Sequence, residues 1–149
     1  GHKYAAGLTI KKENYDLFKK RFELEVASKL TNDIIKPMIE IDINLDLHNL
    51  DNKFYRILKQ FAPFGPGNSN PVFASYGLKL KSPPKYLGED KSHFKLLIKL
   101  DKSNIEAIGF NLSHLINKHN DDCINLCYTL NENIWNNKKS LQLNIKDLF

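Results

Sequence analysis

The side chains able to do chemistry are unevenly spread along this chain of 149 residues. Between Val72 and Lys102 stand seven lysines (Lys79, Lys81, Lys85, Lys91, Lys95, Lys99, Lys102) against three acids (Glu89, Asp90, Asp101). Even spacing puts Lys79 with Lys81, and Lys95 with Lys99, on one face of a strand each. Tyr76, Tyr86, Phe94 and Trp135 fall near them in the pattern, and Lys138 and Lys139 follow Trp135. Lysines that track a phosphate backbone beside rings on which bases stack are the chemistry of single-strand binding. The same pattern equally fits an exposed strand, where lysine deters edge pairing. The candidate nucleic-acid-binding residues are Lys79, Lys81, Lys95, Lys99, Tyr86, Trp135, Lys138 and Lys139.

Other clusters point away from catalysis. Glu40, Asp42 and Asp46 sit on one face of an alternating segment, in a row about 7 Å apart, so they do not converge on a metal. His114 and His119 form a loose pair near Cys123 and Cys127. Both thiols lie in an apolar strand pattern and read as small core residues rather than zinc ligands. Neither a phosphate-cradling Gly-x-x-x-x-Gly-Lys-Ser/Thr nor a Gly-x-Ser-x-Gly nucleophile motif occurs. No catalytic residue and no metal ligand are expected in this chain.

The elements that must position these residues follow from periodicity. Lys12 to Leu30 reads as an amphipathic helix, with Tyr15, Phe18, Phe22, Val26 and Leu30 along one stripe and a solvated charged face opposite. Met38 to Leu47 alternates Ile39, Ile41, Ile43, Leu45 and Leu47 with polar residues, which predicts a ten-residue strand buried on one side. A capped turn and a short helix from Asn52 to Gln60 follow. Phe61 to Phe73 then packs three prolines and two glycines among three phenylalanines. Such a segment carries no regular helix or strand. It reads as a rigid corner in which Phe61, Phe64 and Phe73 are buried and Gly65-Pro66-Gly67-Asn68 sets the turn.

Strands are expected over Val72 to Lys81 (with a bend or bulge at Gly77), His93 to Leu100, Glu106 to Phe110, Cys123 to Leu130 and Ser140 to Ile145. Residues 82–91 read as a loop or irregular edge, Asp101 to Asn104 as a hairpin turn, Leu112 to Lys118 as a helical turn or two, and Asn131 to Lys139 as a polar loop. Short strands with regular turn signals argue for a small barrel. The predicted fold is α+β, mainly β: a five- to six-stranded barrel of the oligonucleotide-binding (OB) type with a short helix, preceded by a long amphipathic helix.

Composition is that of a globular domain, 42% hydrophobic and 26% charged, and the net charge of +5 permits an anionic partner without requiring one. Two cysteines four residues apart in one strand are poorly placed to bridge, which fits a reducing, cytoplasmic setting. No apolar run approaches the ~18 residues of a membrane span, so no membrane partner is expected. The chain opens on Gly1-His2-Lys3 inside a glycine- and alanine-rich stretch, which suggests a piece of a longer protein.

Several motifs resemble one family in order along the chain. Gly1-His2-Lys3-Tyr4-Ala5-Ala6-Gly7 resembles the Gly-Gly-His-x-x-Ala-Ala-Gly motif of the DHH-associated domain in DHH-family phosphoesterases. Phe61 to Phe73 is similar to the Ala-Pro-Phe-Gly-x-Gly-Asn-x-x-Pro-Val-Phe signature of the RecJ family of single-stranded-DNA-specific exonucleases. His93-Phe94-Lys95-Leu96, Ala107-Ile108-Gly109-Phe110-Asn111, and Trp135-Asn136-Asn137 with Leu141-Gln142-Leu143 resemble that family's later motifs. Ser69 and Asn137 depart from it, standing where proline and glycine are frequent.

The resemblance implies that residues 1–37 end a DHH-associated domain and residues 38–149 form an OB domain. It implies that the parent enzyme degrades single-stranded DNA from its 5′ end in repair and recombination. The manganese or magnesium ions of that parent would be held by an N-terminal DHH domain absent from this chain, leaving the fragment inactive alone. Gly1 and His2 match the pair that faces the substrate phosphate, although the preceding glycine is missing. Single-stranded DNA is the implied partner, with the parent's DHH domain and repair proteins as further ones. The alternative is an interaction module that docks on the catalytic core or a repair protein.

Overall fold

The computed structural model describes residues 5–31, 36–101, 103–116, 123–136 and 138–149, with the backbone alone for Trp135 and Lys138. The chain divides into two units, Gly1–Ile39 and Glu40–Phe149.

In the first unit a 3-10 turn, Lys12–Asn14, leads into α1, Tyr15–Lys29. Lys29 pairs with Glu25 one turn earlier at 2.7 Å. Phe18 and Phe22 stack with ring centres 5.6 Å apart. The expected stripe is present in sequence but not buried. Tyr15, Leu17, Phe22, Leu24 and Leu30 are exposed, and only Phe18 and Val26 are half-buried. No second element within this unit, among the described residues, covers them.

The second unit holds a single seven-stranded sheet. Its strands are β1 Ile43–Asn44, β2 Phe73–Lys79, β3 Lys85–Leu87, β4 His93–Lys99, β5 Asn104–Gly109, β6 Cys123–Trp135 and β7 Lys138–Leu148. The order across the sheet is β1-β2-β6-β7-β5-β4-β3. Beyond β2 the chain reaches β4, where Leu80 bridges Ile98 and the Lys81 N–H donates to Leu97 O at 2.8 Å. Five strands, β2-β6-β7-β5-β4, thus close on themselves as the OB-type barrel the sequence predicts. β1 and β3 are short additions at its seams, which raises the strand count above the five or six expected.

Period-two burial builds the core. Phe94, Leu96 and Ile98 on β4, Ala107 on β5, Leu126 and Tyr128 on β6 and Leu143 on β7 have no measurable exposure. Each large apolar side chain buried in this way contributes about 1.5–3 kcal/mol. Gly109 faces Phe94 across β4 and β5. A Cβ built there would lie 2.6 Å from two ring carbons of Phe94, so the absent side chain is what gives the ring its place. Gly77 has φ +62, and its N–H donates to the Asn125 side chain at 2.9 Å where the β2–β6 register shifts. That is the expected bulge.

A buried polar relay joins three strands' neighbourhoods. The Ser75 hydroxyl donates to the carbonyl of Leu45, and the Tyr128 hydroxyl lies 2.8 Å from the Ser75 oxygen. A serine hydroxyl has one proton, so Tyr128 is the donor in that second bond. Burial pushes the Tyr128 phenol up to about 12.

One end of the barrel carries α2, Asn52–Leu58, whose N-cap Asp51 accepts the Phe54 N–H at 2.7 Å. Phe54 meets Phe73 edge-on at 6.0 Å, and Leu58 is buried. A 3-10 turn, Lys59–Phe61, ends it. The corner follows. Gly65 and Asn68 exchange backbone hydrogen bonds at 2.8 and 3.0 Å, with Gly67 at φ +81. Proline then glycine at the centre of such a turn is type II chemistry. The Asn68 side chain donates to the carbonyls of Phe61 and Pro63 at 2.8 and 2.9 Å. Phe73 is buried and Phe64 half-buried, but Phe61 is 63% exposed, against expectation. The turn is held by amide bonding more than by burial of all three rings.

Two of the expected elements also change. The ten-residue strand from Met38 shrinks to β1. Asp42 N–H donates to Val72 O and Leu45 N–H to Ala74 O, so the chain follows β2 only there. Leu45 and Leu47 are buried, while Ile41 and Ile43, on the same side of the segment, are exposed because the core of this unit covers only its Leu45–Leu47 end. The Asp42 carboxylate also accepts the Val72 N–H at 2.8 Å, tying this segment to the start of β2, and Asp46 accepts that of His48 at 3.0 Å and caps a turn, so these two acids do more than face water. The polar loop Asn131–Lys139 is instead the outer half of a two-stranded ribbon. Its register runs without break from Asn131↔Gln142 to Trp135↔Lys138, and Asn136 takes φ +48 at the tip. A ribbon that leaves the barrel is wet on both faces, so it shows no hydrophobic alternation. A four-residue helix, α3, Ser113–Ile116, lies where a helical turn is expected.

Candidate nucleic-acid interface

The outer face of β4 and β5 is set by the same pleat that buries Phe94, Leu96 and Ile98. Across it, Lys95 stands opposite Ile108, Leu97 opposite Glu106 and Lys99 opposite Asn104. β3 adds Lys85 opposite Lys95. On the other side, the Leu80–Ile98 bridge places Lys79 beside Lys99 and Lys81 beside Leu97. With its amide oxygen turned toward the lysine, Asn104 lies 3.2 Å from Lys81 Nζ. Sequence-distant lysines thus converge, and Lys79, Lys81 and Lys99 have no carboxylate partner among the described residues.

Lys95 is different. Its ammonium sits 3.1 Å from Glu106, whose other oxygen accepts from the Gln142 amide at 3.3 Å. Half-buried and paired, it spends its charge inside the protein.

An aromatic group lies at the far end of this face. Phe110 is 52% exposed and packs edge-on against the His93 ring at 5.6 Å. His93 is held in turn, its Nδ1 accepting the Asn111 N–H at 2.9 Å. Tyr86, by contrast, stands opposite the buried Phe94. It therefore belongs to the other side of the sheet from Lys85 and Lys95, and the sequence expectation that it joins those lysines is not met.

Between β1, β2 and the end of β4 lies a groove of about 560 Å³, lined among others by Asn44, His48, Tyr76, Lys79, Lys99 and Asp101. Tyr76 is 55% exposed, with its ring edge-on to Phe149 at 5.6 Å and its hydroxyl 3.5 Å from Asn44 Oδ1. His48 bridges two carboxylates at the rim, Nδ1 to Asp46 at 2.7 Å and Nε2 to Asp101 at 3.3 Å. The hydrogen bond to Asp46, then the charges of Asp101 and Asp46, raise the His48 pKa above its usual value. The His48 backbone N–H and then its ring hold Asp46 below the usual carboxylate range.

A second, smaller groove of about 300 Å³ lies between α2 and the base of the ribbon. There Lys59 and Lys139 approach the same Glu132 oxygen at 3.8 and 3.5 Å, and Lys59 lies 5.5 Å over the Tyr55 ring. Lys139 is thus placed here and not with Lys79, Lys81 and Lys99. Trp135 and Lys138 pair in register at the ribbon tip. Gly1, His2 and His119 lie outside the described residues.

The sequence pattern put Tyr76 near the lysines without making it a candidate, and sequence reasoning missed Phe110, His48 and Lys59. The lysine count pointed to β4, but the bulge at Gly77 hides the face of Tyr76, and His48 reads as an ordinary turn residue. Cys127 is buried and its thiol is pushed up by that burial, while Cys123 is half-buried. Among the described residues no three His, Cys, Asp or Glu side chains gather where they could hold a metal. No described helix is long and apolar enough to cross a membrane.

Comparison with known proteins adds to this geometry. Residues 41–147 match the family model described as the RecJ OB domain. The single-stranded-DNA-specific exonuclease RecJ of Bacillus subtilis (strain 168) is 28% identical over 148 residues, 99% of this chain and 19% of that protein. RecJ of Haemophilus influenzae is 27% identical over 146 residues, 96% of this chain and 25% of that protein. The chain therefore spans a quarter or less of the curated relatives it matches. Crystal structures of Thermus thermophilus RecJ with Mn2+ and with Mg2+ superpose with TM-scores of 0.71 and 0.70. The first covers 100% of this chain and 21% of its own at 24% identity, the second 99% and 22% at 25%, and they share its fold.

Proposed function

Since this chain belongs to the RecJ OB domain family, we propose that it is the single-strand-binding part of a 5′-to-3′ single-stranded-DNA-specific exonuclease that acts in repair and recombination. In this reading residues 1–37 end the DHH-associated domain and residues 38–149 are the OB domain. Hydrolysis takes place on manganese or magnesium ions held by a DHH domain elsewhere in the parent, and this chain alone is inactive. Gly1 and His2 face the substrate phosphate in the assembled enzyme. The setting is cytoplasmic.

The observation that carries the reading is the convergence of Lys79, Lys81 and Lys99 on the outer face of the barrel, on the side where OB folds receive oligonucleotides. Their ammonium groups attract backbone phosphates. Leu97, Ile108, Phe110 and Tyr76 offer apolar and aromatic surface to unstacked bases. A duplex hides its bases and presents only phosphate.

The test is titration of single-stranded and duplex oligonucleotides at two salt concentrations. Three phosphate contacts give a log–log salt slope of about −2, hence a roughly twentyfold loss of affinity for a fourfold rise in salt. Replacing Lys79, Lys81 and Lys99 together with alanine is expected to flatten that slope to near zero. Salt-independent binding, or equal affinity for duplex, overturns the reading. Release of 5′ nucleotides by the purified chain with manganese overturns its inactivity.

A second reading, a module that docks on the catalytic core or a repair protein, is favoured by one observation. Ile43, Ile57 and Phe61 are 55%, 46% and 63% exposed, surface better suited to protein than to DNA. Capture of the parent's catalytic domain without oligonucleotide binding would select it.

A further inference from the structure

The groove at the β1–β2–β4 junction differs from the rest of the basic face, because its lysines share it with two carboxylates and one imidazole. Resting on the single-strand reading above, we propose that this groove holds one nucleotide unit of the bound strand, and that His48 sets the groove's charge by bridging Asp46 and Asp101.

The dimensions suit that ligand. About 560 Å³ is within the size of small-molecule sites, which run about 300–1,000 Å³. Lys79 and Lys99 supply cations for a phosphate, and the half-exposed Tyr76 ring supplies a surface for a base. Asp46 from its own turn and Asp101 from the β4–β5 turn contact His48, and Lys79 from β2 and Lys99 from β4 are the other charged groups that line the groove.

With His48 protonated, three cations face two carboxylates, both carboxylates are occupied by the imidazolium, and an arriving phosphate meets a net positive groove. With His48 neutral, two cations face two carboxylates and the attraction is cancelled. The bridge also ties the segment after β1 to the β4–β5 turn, so the rim is held in place only in the protonated form. Its partners raise the His48 pKa, so the charged form persists to higher pH than in a free histidine. Binding is therefore strong at mildly acid pH and weakens as pH rises through that raised value.

The experiment measures affinity of this chain for a fluorescent oligothymidylate at fixed ionic strength between about pH 5.5 and about pH 8.5. The wild type is expected to lose about two- to fivefold across this range, the effect of one exposed ion pair. His48→Gln is expected to be flat at the high-pH affinity. Asp46→Asn with Asp101→Asn is expected to bind at or above the wild-type affinity throughout, with its remaining pH dependence moved to lower pH because the partners that raise the His48 pKa are gone. His114→Gln, a control at an exposed imidazole on α3, keeps the wild-type profile. A merely structural His48 would lower affinity at every pH and leave the slope unchanged, which overturns the inference. So does a wild-type profile in His48→Gln. Lys79→Ala with Lys99→Ala separates the two levels. If that variant binds like wild type, the single-strand reading fails. If it loses binding while His48→Gln keeps the pH slope, only the inference fails.

Discussion

Replacing Gly109 with alanine tests how the barrel is built. Gly109 on β5 faces Phe94 on β4, and Phe94 has no solvent exposure. A Cβ at Gly109 would meet Phe94 Cε1 and Cζ at 2.6 Å and Cδ1 at 3.2 Å. Carbon atoms are comfortable at about 3.5–4.0 Å, so the ring must retreat by about 1 Å. It has nowhere to go, because its inner side is packed against the core. Overpacking of this kind costs about 1–3 kcal/mol, and with the offending atom fixed to backbone the upper half of that range applies. Urea unfolding followed by far-ultraviolet circular dichroism of the sheet reports on this unit. The midpoint is expected to fall by an amount equivalent to about 2–3 kcal/mol with the slope unchanged. Phe94→Leu removes the ring. It should cost something by itself, yet in the double variant the two losses should fall short of their sum by about 1 kcal/mol or more. Gly109→Ala within about 0.5 kcal/mol of wild type, or strict additivity with Phe94→Leu, would refute the reasoning.

Tyr128→Phe removes a buried phenol whose pKa is raised to about 12. The folded form keeps its proton where the unfolded chain loses it, so this group's contribution is complete below about pH 10 and declines as pH rises toward 12, by about 2–3 kcal/mol in all. Chemical denaturation at neutral and alkaline pH should show the wild type losing that increment and Tyr128→Phe not, with a cost of about 1 kcal/mol at neutral pH for the lost hydrogen bond. Asn68→Ala removes both side-chain bonds that brace the corner to Phe61 and Pro63. A loss of about 1–2 kcal/mol is expected in the same assay, and faster amide exchange confined to residues around 61–68 would show that the damage is local.

What the sequence determined was whatever depends on neighbours along the chain. Alternation over His93 to Leu100 marks β4 because its two faces meet core and water in turn. Asp51 caps α2, Gly77 makes the bulge and Pro66-Gly67 makes the turn through local backbone chemistry, legible without partners. Ordered motifs, Gly109-Phe110 among them, carried the family. The rest waited on the tertiary structure for a physical reason. Whether Ile43 and the α1 stripe are buried depends on which surfaces come to cover them. The ribbon from Asn131 to Lys139 is strand because β6 and β7 pair, not because its residues alternate. Lys95 lost its place as a free cation to Glu106, a partner eleven residues away across a turn. Tyr86 fell on the far side because pairing with β4 set its parity. The site itself, Lys79 and Lys81 from one strand beside Lys99 from another with His48 at the rim, exists only because the barrel closes where Leu80 meets Ile98. Charge content is a property of sequence, but the convergence of charges is a property of the closed sheet.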